Sequence, residues 1–409
     1  MADVRPFICV RPNQEAAAQV AALPYDVYSR QEAKAAVAGH PLSFLNIDRP
    51  ETQYGEDFDM YSDEAYETAR RMLEQEIADG TFVVDEDASY YIYELIMDGR
   101  SQTGITACCS IDDYLGNVIK KHENTLAAKE QDRIRHIDAC SAQTGPIFLA
   151  YRRHPVIAEV IRKTKETAPL YDFVSEDGIS HRVWKITDAA DTAAVQEAFA
   201  GISSIYIADG HHRCASAVKV GLARREKFGP GGEYDHFMAV LFADDELKIL
   251  PYNRVVADLA GMTEEEFLTR VRAAGFTAEK TDDPAYTPAQ PGVMGMRLSD
   301  GWYVLTAGEK LRSSDPVKGL DVSILQDHLL DPILGIRDPK TDSRISFVGG
   351  IRGTGELNRL VNGGAAAAFS MYPTQISQLL AVADANQLMP PKSTWFEPKL
   401  RSGLFIHRI

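Results

Sequence analysis

Apolar and polar residues alternate along this chain with two periods. Between 63 and 80, Ala65, Ala69, Met72, Leu73 and Ile77 recur at helical spacing, and Gly80 offers a left-handed stop. That spacing predicts an amphipathic helix. Residues 89–111, SYYIYELIMDGRSQTGITACCSI, read instead as two strands around Asp98-Gly99. Further helices are expected over 155–168, where Pro155 suits the first turn, over 191–200, and over 263–275, where Thr263 and Glu266 form a capping box. Strands are expected at 181–186, 236–243 and 247–250, a hairpin at 292–307, and helices at 323–335 and 374–387. The mixture is that of an α/β (α+β mixed) protein. Three regions are expected: an N-terminal α+β region over 1–115, a core over 116–252, and a C-terminal α+β region over 253–409.

Composition narrows the partners. The chain has 409 residues and a net charge of −16. An acidic surface disfavours nucleic acid and anionic membranes, while a local basic cluster can still take a phosphate. The five cysteines, Cys9, Cys108, Cys109, Cys140 and Cys214, show neither a CxxC pair nor zinc spacing, and Cys108 and Cys109 are expected on the two faces of a strand. This usage suits a reducing cytoplasm. The first residues do not read as a signal peptide, and no apolar run approaches the ~20 residues of a membrane span. The expected protein is cytoplasmic, binds small molecules, and is compatible with a homo-oligomer.

One stretch departs from the plain pattern: IYIADGHHRCASAV, 205–218. Ile205, Tyr206 and Ile207 make a buried strand, Gly210 permits a sharp turn, and Ala215, Ala217, Val218 and Leu222 mark a helix. His211, His212 and Arg213 therefore lie at a helix N-terminus, where unpaired N–H groups and the positive dipole end attract anions. Three potential cations there point to a bound phosphate or carboxylate. Arg213 offers a planar fork for oxygens, and a histidine can move a proton near neutral pH. Asp209 ends the strand, placed to hold a metal or accept a proton. The plain alternative is an Asp209 cap on a solvated turn.

A second charged run, KKHENTLAAKEQDRIRH (120–136), places Lys129 and Arg133 four apart, on one face if helical. A phosphate between such like charges would reconcile them. In this reading Lys121 and Arg133 contact phosphate, and Glu123 deprotonates an acceptor hydroxyl. Asp26 in LPYDV (23–27) reads as a helix cap. RISFVGGIRGTGEL (344–357) is glycine-rich but is neither a Walker loop nor a dinucleotide fingerprint, so Gly349-Gly350 reads as a strand-end turn. PPKSTWFEPKLRSG (390–403) reads as a loop docked elsewhere on the protein, with Lys392 and Ser393 as substrate candidates. No Gly-x-Ser-x-Gly elbow, His-Glu-x-x-His or protein-kinase signature is present.

The string YIADGHHRCASAV resembles the Asp-Gly-His-His-Arg motif of the ParB/sulfiredoxin-like fold, in the branch that contains free serine kinases. That resemblance implies a nucleotide-phosphate site at the turn. It also implies roles in phosphoryl transfer for Asp209 and for an upstream glutamate, matched here by Glu123. The strings LPYDV, KHENT, GPIFLAY, ADGHHR, LLDPILGI and MPPKSTWFEPKLRSGL resemble, over nearly the whole chain, an uncharacterised bacterial family numbered ten-fifteen among the domains of unknown function. Members are often encoded beside serine-biosynthesis enzymes, which implies a serine-related role.

The expectation is a phosphotransferase that converts free L-serine to O-phosphoserine. Asp209, Glu123, His211 and His212 are the candidate catalytic residues. Arg213, Gly210, Lys121 and Arg133 are the candidate phosphate ligands, with Asp209 also the metal candidate. Mg2+ is the expected ion, and ATP, ADP, pyrophosphate or polyphosphate the donor. The alternatives are a non-catalytic nucleotide or phosphoserine sensor and a phosphoester hydrolase.

Overall fold

The computed structural model describes residues 1–127 and 129–409. The chain forms two compact units, Met1–Leu247 with Pro398–Ile409, and Lys248–Glu397. Both mix helices and sheets, as the two periods require.

The first unit is built on a nine-stranded sheet. From one edge its strands are Ile119–Lys120, Ile205–Asp209, Ile147–Tyr151, His236–Ala243, Arg100–Ser110, Tyr91–Met97, Ser180–Lys185 and Tyr171–Val174, with Val4–Arg5 beside Arg100–Ser110. Two pairings are parallel: Ile119–Lys120 with Ile205–Asp209, and Ile147–Tyr151 with His236–Ala243. The Tyr91–Met97/Arg100–Ser110 hairpin turns at Asp98 and Gly99, both left-handed (φ 53° and 77°), which matches the twist of the strands. Ile92, Ile105, Leu149, Ile207, Phe237 and Leu241 form part of the core on this sheet. The helices Ala127–Cys140 and His211–Phe228 pack together, where Ser216 Oγ donates to Glu130 O at 3.1 Å and Lys219 pairs with Glu130. Cys108 and Cys109 are consecutive in one strand, and all five cysteines are buried and free.

A smaller sheet in this unit has the order Phe82–Val84, Cys9–Pro12, Ile406–Arg408, Ala142–Gln143. The chain's last residues thus form an inner strand among residues from its first half. The helix Asp63–Ala78 buries Ala69 and Leu73 against this region, as its spacing predicted. Asp26 lies in a short turn, Tyr25–Val27, and the following helix Arg30–Ala36 is capped by Ser29 with Glu32 instead.

The second unit holds a six-stranded antiparallel sheet in the order Phe276–Thr281, Gly301–Ala307, Val293–Leu298, Ala367–Ser370, Tyr252–Val256, Ile345–Gly349. Trp302, Leu357 and Val361 lie in its core. The expected strand at 247–250 is only Ile249–Leu250, paired with Trp395–Phe396.

These units cut the chain differently from the three expected regions. A division at 115/116 falls inside the nine-stranded sheet, because Arg100–Ser110 pairs with His236–Ala243. Residues Pro398–Ile409 belong with the N-terminal unit. Among the described residues, no helix is long and apolar enough to cross a membrane.

Candidate functional site

The strand Ile205–Asp209 ends at Asp209, and Gly210 turns the chain with φ 91° into the helix His211–Phe228. Only glycine takes this conformation without strain. It also leaves room for Arg213: a Cβ on Gly210 would stand 3.1 Å from the Arg213 Nε and Nη2. Arg213 Nη1 donates to Pro146 O.

The parallel neighbour of this strand brings in the second charged run. Ile119 and Lys120 pair with Ile205 and Tyr206, so the residues that follow, Lys121, His122 and Glu123, lie beside the end of the strand and its turn. These are strand end and loop, not the helix that the charge spacing suggested; the helix starts at Ala127. Two histidines hold the loop. The His122 N–H donates to His211 Nε2 at 3.4 Å, and the Leu126 N–H donates to His212 Nε2 at 2.9 Å. A nitrogen that accepts carries no proton, so the neutral His211 has its proton on Nδ1. That nitrogen faces Glu123 Oε2 at 3.9 Å. The His122 ring meets His211 edge-on at 4.4 Å.

Burial changes the charge expected here. It holds His211 well below its ordinary pKa, with His122 adding to the effect, and pushes His122 down to about 4. His211 is therefore neutral near pH 7, and the expected row of three cations at the helix start is not formed. Both histidines of the motif accept hydrogen bonds from backbone N–H groups of the loop. Among the described residues, neither ring nitrogen of the fully buried His122 has a well-formed hydrogen bond, and the Ile207 backbone only partly offsets the burial that lowers its pKa.

Asp209 is held on both oxygens. Lys399 Nζ donates to Oδ2 at 2.9 Å, and the Gly210 N–H donates to Oδ1 at 2.9 Å. Burial works against the charge, but Lys399 and Arg213 outweigh it and hold this carboxyl well below the usual range. Lys399 arrives on the C-terminal segment, 190 positions further along. The segment 390–403 brings Lys399 to Asp209, rather than the two residues expected, Lys392 and Ser393. Lys392 and Ser393 lie in the second unit, Lys392 over the Tyr252 ring and Ser393 donating to Pro390 O.

Arg213 and Arg133 line one narrow cleft, with about 30 Å³ of free space, together with Tyr25, Asp48, Gly145 and Ser402. Arg133 is buried and compensated: Asp132 Oδ2 lies at 2.8 Å, Asp48 Oδ1 at 4.0 Å, and its guanidinium lies 3.9 Å from the Tyr25 ring centre. It is less available to a phosphate than Arg213. Lys121 sits over the Tyr114 ring at 4.1 Å. Among the described residues, no three His, Cys, Asp or Glu side chains gather to hold a metal ion. With both Asp209 oxygens engaged, the residues present do not fit a magnesium ion held by the protein alone.

The fold is similar to three solved structures. A free serine kinase in complex with AMP is 11% identical, over 73% of this chain and 91% of that one, at a TM-score of 0.35. A conserved hypothetical protein from Pyrococcus furiosus is 13% identical, over 74% and 94%, at 0.35. SbnI with a C-terminal truncation, from Staphylococcus aureus, is 12% identical, over 73% and 87%, at 0.39. Such values are too low to assign an activity by likeness. No curated protein matches the sequence significantly. Residues 4–323 match the family described as "Protein of unknown function (DUF1015)", and the chain belongs to that family.

Proposed function

We propose that this protein transfers a phosphoryl group from a nucleotide or pyrophosphate to the hydroxyl of a small amino acid, L-serine first. The observation that carries the reading is the parallel pairing of Ile119–Lys120 with Ile205–Asp209. With it, Glu123 Oε2 lies 3.9 Å from His211 at the N-terminus of the helix that carries Arg213, which supports a reading in which a carboxylate and an arginine act at one helix N-terminus. The sequence resemblance of 205–218 to the ParB/sulfiredoxin-like nucleotide turn supports the same reading.

Phosphoryl transfer asks for positioning and charge neutralisation more than for covalent chemistry. Donor phosphate would rest on the helix N-terminus and Arg213, with Lys399 and Lys121 flanking it. The acceptor oxygen bonds to phosphorus as the bond to the leaving phosphate breaks, and the leaving group keeps that electron pair. Glu123 takes the hydroxyl proton. Asp209 holds Lys399 in place through the 2.9 Å contact, and His211 and His212 fix the loop that carries Glu123.

The test is incubation of the purified chain with L-serine, magnesium and each donor in turn: ATP, ADP, pyrophosphate and polyphosphate. O-phospho-L-serine is the expected product, and it identifies the donor. Saturable binding with no product from any donor would replace the kinase by a sensor. Phosphate released from O-phosphoserine without a donor would replace it by a hydrolase.

A further inference from the structure

Arg133 is only 6% exposed, yet its guanidinium is hydrogen-bonded at one nitrogen alone: Nε donates to Asp132 Oδ2 at 2.8 Å. Among the described residues neither Nη has a hydrogen-bond partner, and the nearest Asp48 oxygen, Oδ1, stands 4.0 Å from Nη1. Arg49, similarly buried, instead uses its Nη1 on the carbonyls of Tyr25 and Tyr28. Polar groups taken out of water are ordinarily paired in this way. Asp48 shows the same shortfall. It is 2% exposed, and its Oδ1 accepts from Thr144 Oγ1 at 2.9 Å, while Oδ2 has no partner among the described residues. None of these three idle atoms is sealed inside the protein.

Both side chains line the narrow cleft that holds Arg213. With Tyr25 they also line a second, larger cavity of about 270 Å³, whose wall continues through Tyr66, Lys129 and Asp132. The cleft alone has room for about one water, so the larger cavity supplies the space for a ligand. Arg133 and Arg213 both act on the Tyr25 hydroxyl, which places the two guanidiniums around one small region. The charges here select the ligand. One guanidinium faces two carboxylates, Asp48 and Asp132. His136 donates through Nε2 to Ile47 O at 3.0 Å, and burial, with Arg133 beside it, lowers its pKa and keeps the ring neutral. The two negative charges of a phosphate would be repelled by that pair of carboxylates. A zwitterion adds no net charge. Its carboxylate and ammonium, joined through one carbon, match an arginine fork and an aspartate oxygen side by side.

We propose that Arg133 and Asp48 bind the head group of a free α-amino acid, the Arg133 Nη atoms donating to its carboxylate and Asp48 Oδ2 accepting from its ammonium. The proposal rests on the transfer reading above for the identity of the amino acid, L-serine, and gives Arg133 the acceptor's carboxylate in place of a phosphate. Arg213 lines the same cleft, so the acceptor's hydroxyl lies on the side of the donor phosphate.

Calorimetric titration of the intact protein, with no phosphate donor present, tests this with L-serine, L-alanine, ethanolamine and L-lactate. Both amino acids should bind saturably. Ethanolamine lacks the carboxylate and L-lactate the ammonium, and each should bind at least about tenfold more weakly than L-serine, as the loss of a charge-assisted contact implies. Asp48→Asn, close to isosteric, and Arg133→Lys, which keeps the charge without the fork, should each weaken L-serine by about tenfold or more. No saturable binding of either amino acid overturns the proposal, as does ethanolamine or L-lactate binding as tightly as L-serine, or unchanged L-serine affinity in a folded Asp48→Asn. Should neither variant fold, the ligand series on the wild-type protein decides. Product formation is scored separately. Amino-acid binding in this pattern with no O-phospho-L-serine from any donor would remove the kinase reading and keep this site. Product formed by Asp48→Asn with an unchanged KM for L-serine would remove this site and keep the kinase reading.

Discussion

At the scale of single residues the site depends on which charges survive burial. Asp209 keeps its charge because Lys399 and Arg213 face it. Replacing Lys399 by Met removes a cation from both Asp209 and the proposed phosphate position, so turnover should fall by about 10²-fold. A Lys399→Met protein with undiminished kcat would contradict the role given to it. His122 behaves in the opposite way. Its pKa falls from 6.5 to about 4 on folding, so between those values the unfolded chain binds more protons than the folded one. Its contribution to stability is therefore full above pH 6.5 and is lost as pH falls toward 4. Glu76 and Asp321, pushed up to about 7 and about 6 by burial, act with the reverse sign, so the variant difference is the useful measure. The stability difference between wild type and His122→Phe should shift by roughly 3 kcal/mol, in favour of the variant, from pH 7.5 to pH 4. Urea unfolding at the two pH values reads it, and a pH-independent difference would refute it. The strand–turn–helix at Asp209–Arg213 was legible because its residue types sit at one chain reversal, whereas Glu123 was drawn from the second charged run and the resemblance. Lys399 was not legible: nothing local marks it, and its partner is 190 positions away.

At the scale of elements, the loop between Lys120 and Ala127 is held by side chains of the strand–turn–helix that neighbours it in the sheet rather than by its own sequence. The Leu126 N–H has His212 Nε2 as its acceptor at 2.9 Å. His212→Ala should speed hydrogen exchange at the Leu126 amide by about five- to tenfold, the value of one net hydrogen bond, and lower turnover with it. Unchanged exchange at that amide would show that the histidine does not hold the loop. Most elements followed from periodicity and turn residues: the Asp98-Gly99 hairpin, the Thr263–Glu266 capping box, and the helix Asp63–Ala78. The run 120–136 did not, because its first residues are captured by parallel pairing with Ile205 and Tyr206. Charge spacing carries no information about such long-range pairing.

At the scale of the molecule, one unit is completed by the chain's last twelve residues, after the other unit has intervened. Leu404, Phe405 and Ile406 are fully buried, each contributing about 1.5–3 kcal/mol, and Ile406–Arg408 is an inner strand. Together they rival the whole stability of a domain, so a chain ending at Glu397 should fail to fold cooperatively. A truncated chain with a wild-type melting temperature would contradict this. The mixed architecture could be read from the sequence, but the return of the C-terminus could not, since a three-residue strand has no distinctive pattern of its own. The most direct test of the central claim, that Glu123 and Asp209 act at one phosphate site, is the rate of O-phospho-L-serine formation in Glu123→Gln and Asp209→Asn with the active donor. Both rates should fall by at least about 10²-fold while donor binding by Glu123→Gln persists. Rates equal to wild type in both variants, or no product from the wild-type protein with any donor, would contradict it.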